Sequence, residues 1–168
     1  MRTTILDGLK TINVQDVPRP ELKPDKVLVQ VKAVGVCGSD VHYYLHGKIG
    51  NQVVKGPHIL GHEAAGIVVE AGSQVKGITK GMRVAIEPGI PCGICEHCRA
   101  GKYNICPEIQ FLGTPPVSGA YREFMSYPAE FLFPIPDSIS FGEAAIIETL
   151  VVGMHAVSLS GLKVGDNI

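Results

Sequence analysis

Polar and apolar side chains largely alternate along Lys26-Val27-Leu28-Val29-Gln30-Val31-Lys32-Ala33-Val34, the period-two pattern of a strand with one buried face. Ahead of it, Pro18-Arg19-Pro20-Glu21-Leu22-Lys23-Pro24 carries three prolines, which disfavour helix and suit an extended surface run. Gly66-Ile67-Val68-Val69-Glu70 and Met82-Arg83-Val84-Ala85-Ile86 predict two more strands, separated by a segment that holds Gly72, Gly77 and Gly81. Short strands are expected at 120–125 and 131–135. These elements predict a mainly β body, a small barrel or open sandwich with closely spaced turns. The pattern changes at Ser140, which stands three residues before Glu143 as in a capping box and opens a helical segment over 140–160 with a break near Gly153. Residues 161–168 read as a turn leading into a further element.

Composition narrows the classes. Apolar residues make up 45% of the 168 and charged residues 18%, enough to bury a core and too apolar for disorder. A formal net charge of −1, with no charge tract, argues against a nucleic-acid partner. No unbroken apolar run reaches 18 residues, so no membrane span is expected. The start, Met1-Arg2-Thr3-Thr4-Ile5-Leu6-Asp7, has no signal-peptide core, which predicts a soluble cytoplasmic protein.

Four of the five cysteines crowd into fifteen positions, Cys92-x2-Cys95-x2-Cys98-x7-Cys106, an arrangement unlike a secreted disulfide framework. Four thiolates can close a tetrahedron around zinc and leave no open position, so the lobe at 88–108 reads as a structural zinc site. An iron–sulfur cluster and an unmetallated lobe are the competing readings. Glu96 and His97 within it read as solvated spacers. A second constellation joins Cys37, in Gly35-Val36-Cys37-Gly38-Ser39-Asp40, to Gly61-His62-Glu63. A thiol, an imidazole and a carboxylate suit a catalytic zinc with an open position. A regular strand would send His62 and Glu63 to opposite faces, unless Gly61 and Lys55-Gly56-Pro57 bend the chain. A buried core cysteine and a satisfied interior histidine are the alternatives. Asp40 reads as a supporting or capping group, and His46, His58 and His155 as structural or surface histidines.

Taken in order, Cys37-Gly38-Ser39-Asp40, Gly61-His62-Glu63-Ala64-Ala65-Gly66 and the four-cysteine lobe resemble the zinc-dependent medium-chain alcohol dehydrogenases. Gly81-Met82-Arg83-Val84-Ala85 and Gly161-Leu162-Lys163-Val164-Gly165-Asp166 are similar to two more of that family's segments. Val41-His42-Tyr43-Tyr44, His46-Gly47-Lys48-Ile49-Gly50, Ala85-Ile86-Glu87-Pro88-Gly89 and Phe111-Leu112-Gly113-Thr114-Pro115-Pro116 resemble its polyol branch, the sorbitol and xylitol dehydrogenases.

The resemblance implies a GroES-like, partly open β-barrel with a few helices over residues 1–168. It implies two zinc ions per chain, a catalytic one on Cys37, His62 and Glu63 and a structural one on Cys92, Cys95, Cys98 and Cys106. Glu148 matches a glutamate beside the catalytic zinc, although the sequence reads Glu148-Thr149-Leu150 where the family has a proline after the glutamate. Ser39 and His42 match positions of substrate hydrogen bonding and proton relay. Tyr43, Phe111 and Thr114 match the substrate pocket. No G-x-G-x-x-G occurs, so no cofactor-binding residue is expected in this chain, which is read as a catalytic-domain portion stopping where a Rossmann domain would start. The implied activity is oxidation of a polyol secondary alcohol to a ketose with NAD or NADP, by a homo-oligomer when full length. Alone, the chain is expected to bind zinc without turnover and to self-associate through apolar surface left exposed. Dehydrogenation of threonine, butanediol or a simple alcohol is the alternative substrate reading. A non-catalytic zinc-binding protein and a four-cysteine interaction module are the alternatives from other classes.

Overall fold

The computed structural model describes residues 1–167. A hairpin of β1 (Arg2–Gly8) and β2 (Thr11–Asp16) leads to β3 (Lys26–Val34) and α1 (Gly38–His46). The short strands β4 (Lys48–Ile49) and β5 (Gln52–Val53) precede β6 (Ala64–Ala71) and β7 (Arg83–Ile86). β8 (Gly89–Ile90) pairs with β9 (Gln110–Phe111) around α2 (Glu96–Arg99), after which come β10 (Phe124–Pro128), β11 (Leu132–Pro134) and α3 (Phe141–Ser160).

Five strands form an antiparallel sheet in the order β10-β3-β6-β7-β11, open at both ends, in agreement with the mainly β, partly open architecture expected. β3 lies inside this sheet, so Val27, Leu28 and Val29 are all buried and the alternation of its sequence does not become alternation of burial. The main core gathers Val27, Val29, Val68, Val84, Ile86, Met125 and Leu132 on one side of the sheet. On the other side Ala65 and Ala85 meet Ala144 and Ala145 of α3. Four small side chains let helix and sheet backbones approach closely. Arg83 fastens the junction: its guanidinium donates to the carbonyls of Pro136 and Ile139 and lies 4.5 Å from the centroid of the Phe141 ring.

Three expectations are corrected. The stretch after Cys37, for which no helix was expected, is the first turn of α1, with Cys37 in the N-cap place. Cysteine is not a preferred N-cap, so the start signal was missing. The strand expected at 120–125 begins only at Phe124, because Ala120 and Tyr121 give their N–H groups to the carbonyls of Gly61 and Leu60 instead of the main sheet. The hairpin β1–β2 was not anticipated. In α3 the capping box forms as expected: Ser140 N donates to Glu143 Oε2 (2.7 Å) and Glu143 N to Ser140 Oγ (3.2 Å). The break near Gly153 does not occur, a single glycine costing only about 1 kcal/mol in a helix of twenty residues.

The membrane expectation also changes. An 18-residue window of α3 has mean hydropathy 1.3 and is only 11% buried, so by length and composition this helix could cross a membrane. An unbroken apolar run is a narrower test than the mean over a helix. Such a helix by itself is weak evidence of a span, and α3 carries Glu143 and Glu148. Beyond its anchored first turns, Leu150, Val152, Met154, Val157 and Leu159 are exposed.

Candidate functional site

The four-cysteine lobe is built locally. β8 and β9 close its base, and α2 and a turn of 3-10 helix at Tyr103–Ile105 carry the chain between them. The four Sγ atoms lie within 4.8 Å of one another. The Cys95–Cys98 separation is 3.4 Å, and the Cys92–Cys98 and Cys95–Cys106 separations are 3.9 Å. Four thiolates around one zinc at its usual bond length would stand about 3.8 Å apart. A multi-iron cluster, with its sulfurs on different iron atoms, needs a wider cage. Backbone N–H groups of Ile94 and Cys95 lower the Cys92 thiol to about 6, whereas partial burial and then Cys95 push Cys98 up to about 12. Thiols packed this closely cannot all ionise without a cation among them, so the donor set fits zinc. Glu96 and His97 stand outside the ligand cluster and pair with each other at 3.7 Å, as spacers would.

The second cluster is assembled from distant segments. Cys37 follows the end of β3, while His62 and Glu63 lie on the bend just before β6. Gly61, at φ +91°, turns the backbone there, and the two side chains are therefore not bound by strand alternation. The ligand atoms of Cys37, His62 and Glu63 come within 4.8 Å of one another. Gly35 is essential to the fit: a Cβ there would meet Glu63 Oε2 at 2.0 Å. One thiol, one imidazole and one carboxylate, with His62 and Glu63 buried, suit zinc with a position left for another ligand.

Asp40, buried in the first turn of α1, ties the halves together. Its Oδ2 accepts from Cys37 N (3.0 Å) and its Oδ1 from Gly61 N (3.0 Å), and Oδ1 stands 4.0 Å from His62 Nδ1. At 4.0 Å the Oδ1–Nδ1 contact is beyond hydrogen-bond reach, so Asp40 acts on the cluster through the backbone N–H groups of Cys37 and Gly61. Supporting groups of this kind hold ligand-bearing segments in place. The supporting role expected for Asp40 is what the geometry gives.

The remaining candidates surround this cluster to different degrees. The Phe111 ring lies 5.4 Å from that of His62. Glu148, half-buried on α3, has its carboxyl raised by desolvation, with His62 opposing the shift and Glu63 adding to it. Tyr43 is buried and donates to Gln52 Oε1 at 3.1 Å, and burial raises its phenol above the ordinary value. Ser39 sits half-buried in the first turn of α1. His42 is exposed one turn later, its ring 4.6 Å from that of His46. His58 is buried with Nε2 3.1 Å from the Gly113 carbonyl oxygen, as a structural histidine would be. Tyr121, which nothing in the sequence singles out, shares its one phenol proton between Gly35 O (2.9 Å) and Asp40 Oδ2 (3.1 Å).

Residues 23–137 match the family described as alcohol dehydrogenase GroES-like domain. Among curated proteins, the sorbitol dehydrogenase of Bacillus subtilis (strain 168) is 48% identical over 168 residues, covering 100% of this chain and 48% of its own length. A protein named probable D-xylulose reductase A, from Aspergillus fumigatus, is 48% identical over 165 residues, 98% of this chain and 46% of its own. The crystal structure of 2R,3R-butanediol dehydrogenase from Bacillus subtilis superposes with a TM-score of 0.87 at 35% identity, covering 99% of this chain and 49% of that one. The chain spans about half the length of the curated relatives it matches.

Proposed function

This chain belongs to the alcohol dehydrogenase family through its GroES-like domain, and on that premise we propose that it forms the metal- and substrate-binding portion of a zinc- and NAD(P)-dependent polyol dehydrogenase. The observation that carries the proposal is the convergence of Cys37, His62 and Glu63 from two distant segments.

A zinc ion held by Cys37, His62 and Glu63 would supply Lewis acidity to a substrate hydroxyl. The chain's own groups do the rest. Ser39 in the first turn of α1 and exposed His42 one turn later offer a route for the hydroxyl proton to solvent. Glu148 on α3, near enough for the charges of His62 and Glu63 to act on its carboxyl, offers a further group to accept or hold a proton there. The Tyr43 phenol, paired with Gln52 Oε1, and the Thr114 hydroxyl offer polar contacts to further hydroxyls of a polyol. Phe111 shields the His62 side from water. The nicotinamide cofactor belongs to sequence outside this chain, which has no G-x-G-x-x-G. The free cysteines suit a cytoplasmic setting, and the exposed apolar face of α3 suits a full-length protein that assembles as an oligomer.

Elemental analysis tests the metal assignment. Two zinc ions per chain should fall to one in Cys37→Ala, with the lobe's zinc retained. A single zinc ion, unchanged by the substitution, would overturn the catalytic assignment. The substrate class is tested on the chain joined to its cofactor-binding half. Sorbitol and xylitol should be oxidised with higher kcat/KM than threonine or 2,3-butanediol, with NAD and NADP compared in parallel. A preference for butanediol would move the protein to the other substrate reading.

A further inference from the structure

The metal reading accounts for Cys37, His62 and Glu63, and Asp40 accounts for their tie, but a half-buried phenol against Asp40 is left over. Tyr121 lies on the segment between Ala120 and β10, and its ring is pressed under Gly61. A Cβ on Gly61 would come within 3.0 Å of the Tyr121 ring carbons Cδ1 and Cε1. Its backbone is fixed on both sides, because Tyr121 N donates to Leu60 O (3.0 Å) and Thr4 N donates to Tyr121 O (2.8 Å). The phenol oxygen is thereby held between Gly35 O at 2.9 Å and Asp40 Oδ2 at 3.1 Å.

We propose that Tyr121 is a positioning residue for the Cys37–His62–Glu63 metal site, acting through Asp40. The proposal rests on the reading of that cluster as a metal centre. The Asp40 carboxylate accepts from Cys37 N on Oδ2 and from Gly61 N on Oδ1, and on Oδ2 it shares with Gly35 O the single proton of the Tyr121 phenol. The two backbone donors hold its position. The phenol is the donor contributed by a side chain, and it helps fix the plane of the carboxylate that accepts from Cys37 N and from Gly61 N, the residue before His62. His62 Nδ1, 4.0 Å from Oδ1, is beyond hydrogen-bond reach, so the brace acts on the ligands through these two backbone N–H groups. The contact with Gly35 O adds a second anchor on the residue whose lack of Cβ makes room for Glu63. One phenol thus braces the surroundings of all three ligands without touching the metal.

Tyr121→Phe keeps the ring under Gly61 and removes only the hydroxyl. Asp40 retains two backbone donors, so the fold should persist. Cobalt(II) replaces zinc as the probe, because thiolate-to-cobalt and d–d absorption reports ligand geometry and each site can be titrated. The lobe serves as an internal reference, read alone in a Cys37→Ala background. Supporting groups of ligating residues are typically worth 10- to 100-fold in metal affinity. We expect Tyr121→Phe to weaken cobalt binding at the Cys37 site by about tenfold or more and to shift its d–d bands, with lobe binding unchanged. In a double-mutant cycle with Asp40→Asn the two effects should not add, because they act on one carboxylate. Reporting occupancy as the ratio of the two sites removes the contribution of any unfolded fraction. An unaltered spectrum and affinity in Tyr121→Phe, or full additivity with Asp40→Asn, would overturn the inference while leaving the metal centre in place. Absence of a second cobalt site in the unsubstituted chain would overturn both.

Discussion

The two ligand clusters of this chain are made in opposite ways. The lobe draws four sulfurs from fifteen consecutive positions, and its base is closed by the two-residue strands β8 and β9. The Cys37 cluster joins positions twenty-five residues apart, and needs the end of β3, the N-terminus of α1, the Gly61 bend and the flank of α3 to be in place. In the lobe, sequence spacing gathers the donors. In the Cys37 cluster, the fold gathers them. Local closure costs little loop entropy, and a zinc ion held there would complete the lobe's geometry. Non-local closure makes the second cluster as rigid as the core behind it, and as vulnerable.

Removing one sulfur from the lobe is the strongest way to break the comparison. Structural zinc sites contribute on the order of 10–16 kcal/mol of apparent binding free energy near neutral pH. Cys95→Ser should therefore release the lobe's zinc and open residues 92–106 to proteolysis. Amides of β3 and β6, held by the main core, should keep their hydrogen-exchange protection, and the Cys37 site should stay loaded. Loss of protection throughout the sheet would show that the lobe is coupled to the core, and that locality in sequence is not independence in energy.

Gly35→Ala probes the other side with a single methyl group. The added carbon would meet Glu63 Oε2 at 2.0 Å, so the carboxylate must leave its place or the backbone must shift. Overpacking of this kind costs typically about 1–3 kcal/mol. The expected outcome is a lowered urea midpoint and a Cys37 site that no longer retains metal against a chelator, beside a lobe that does. Retention of both ions in Gly35→Ala would mean that Glu63 is not needed as a ligand.

The same contrast explains what could be read from the sequence. Cys92, Cys95, Cys98 and Cys106 were legible as one site because chain spacing alone brings them together. Cys37, His62 and Glu63 were only compatible with a site until the family resemblance joined them, since no local rule says that the end of β3 meets the bend before β6. Core strands such as Lys26–Val34 followed from their own patterning. The start of α1 did not, because its N-cap place is filled by a cysteine and Asp40 serves both as cap partner and as tie to Gly61. Tyr121 was silent for the same reason: its partners are 81 and 86 residues away. The far half of α3 marks a different limit: an apolar pattern does not itself say what covers it, and these side chains are exposed here.

His58 gives the smallest and cleanest test that the scaffold around the Cys37 cluster is a packed interior. Burial lowers its basicity below the ordinary value of 6.5, against the Gly113 carbonyl that partly restores it. The folded chain therefore prefers the neutral ring, whose Nε2–H can donate to Gly113 O at 3.1 Å. As pH falls through 6.5, the unfolded chain takes up a proton that the folded chain resists, so stability falls with pH until the lowered value is passed. Urea midpoints measured from pH 7.5 to 5.5 should decline in the unsubstituted chain and decline less in His58→Gln, which keeps an N–H donor but does not titrate. With saturating zinc in both proteins, proton competition at the ligands contributes equally and cancels in the difference. Equal slopes would mean that water reaches His58 in the folded state. The wall formed by His58 and Gly113, four residues from His62, would then be too loose to hold an imidazole to a metal.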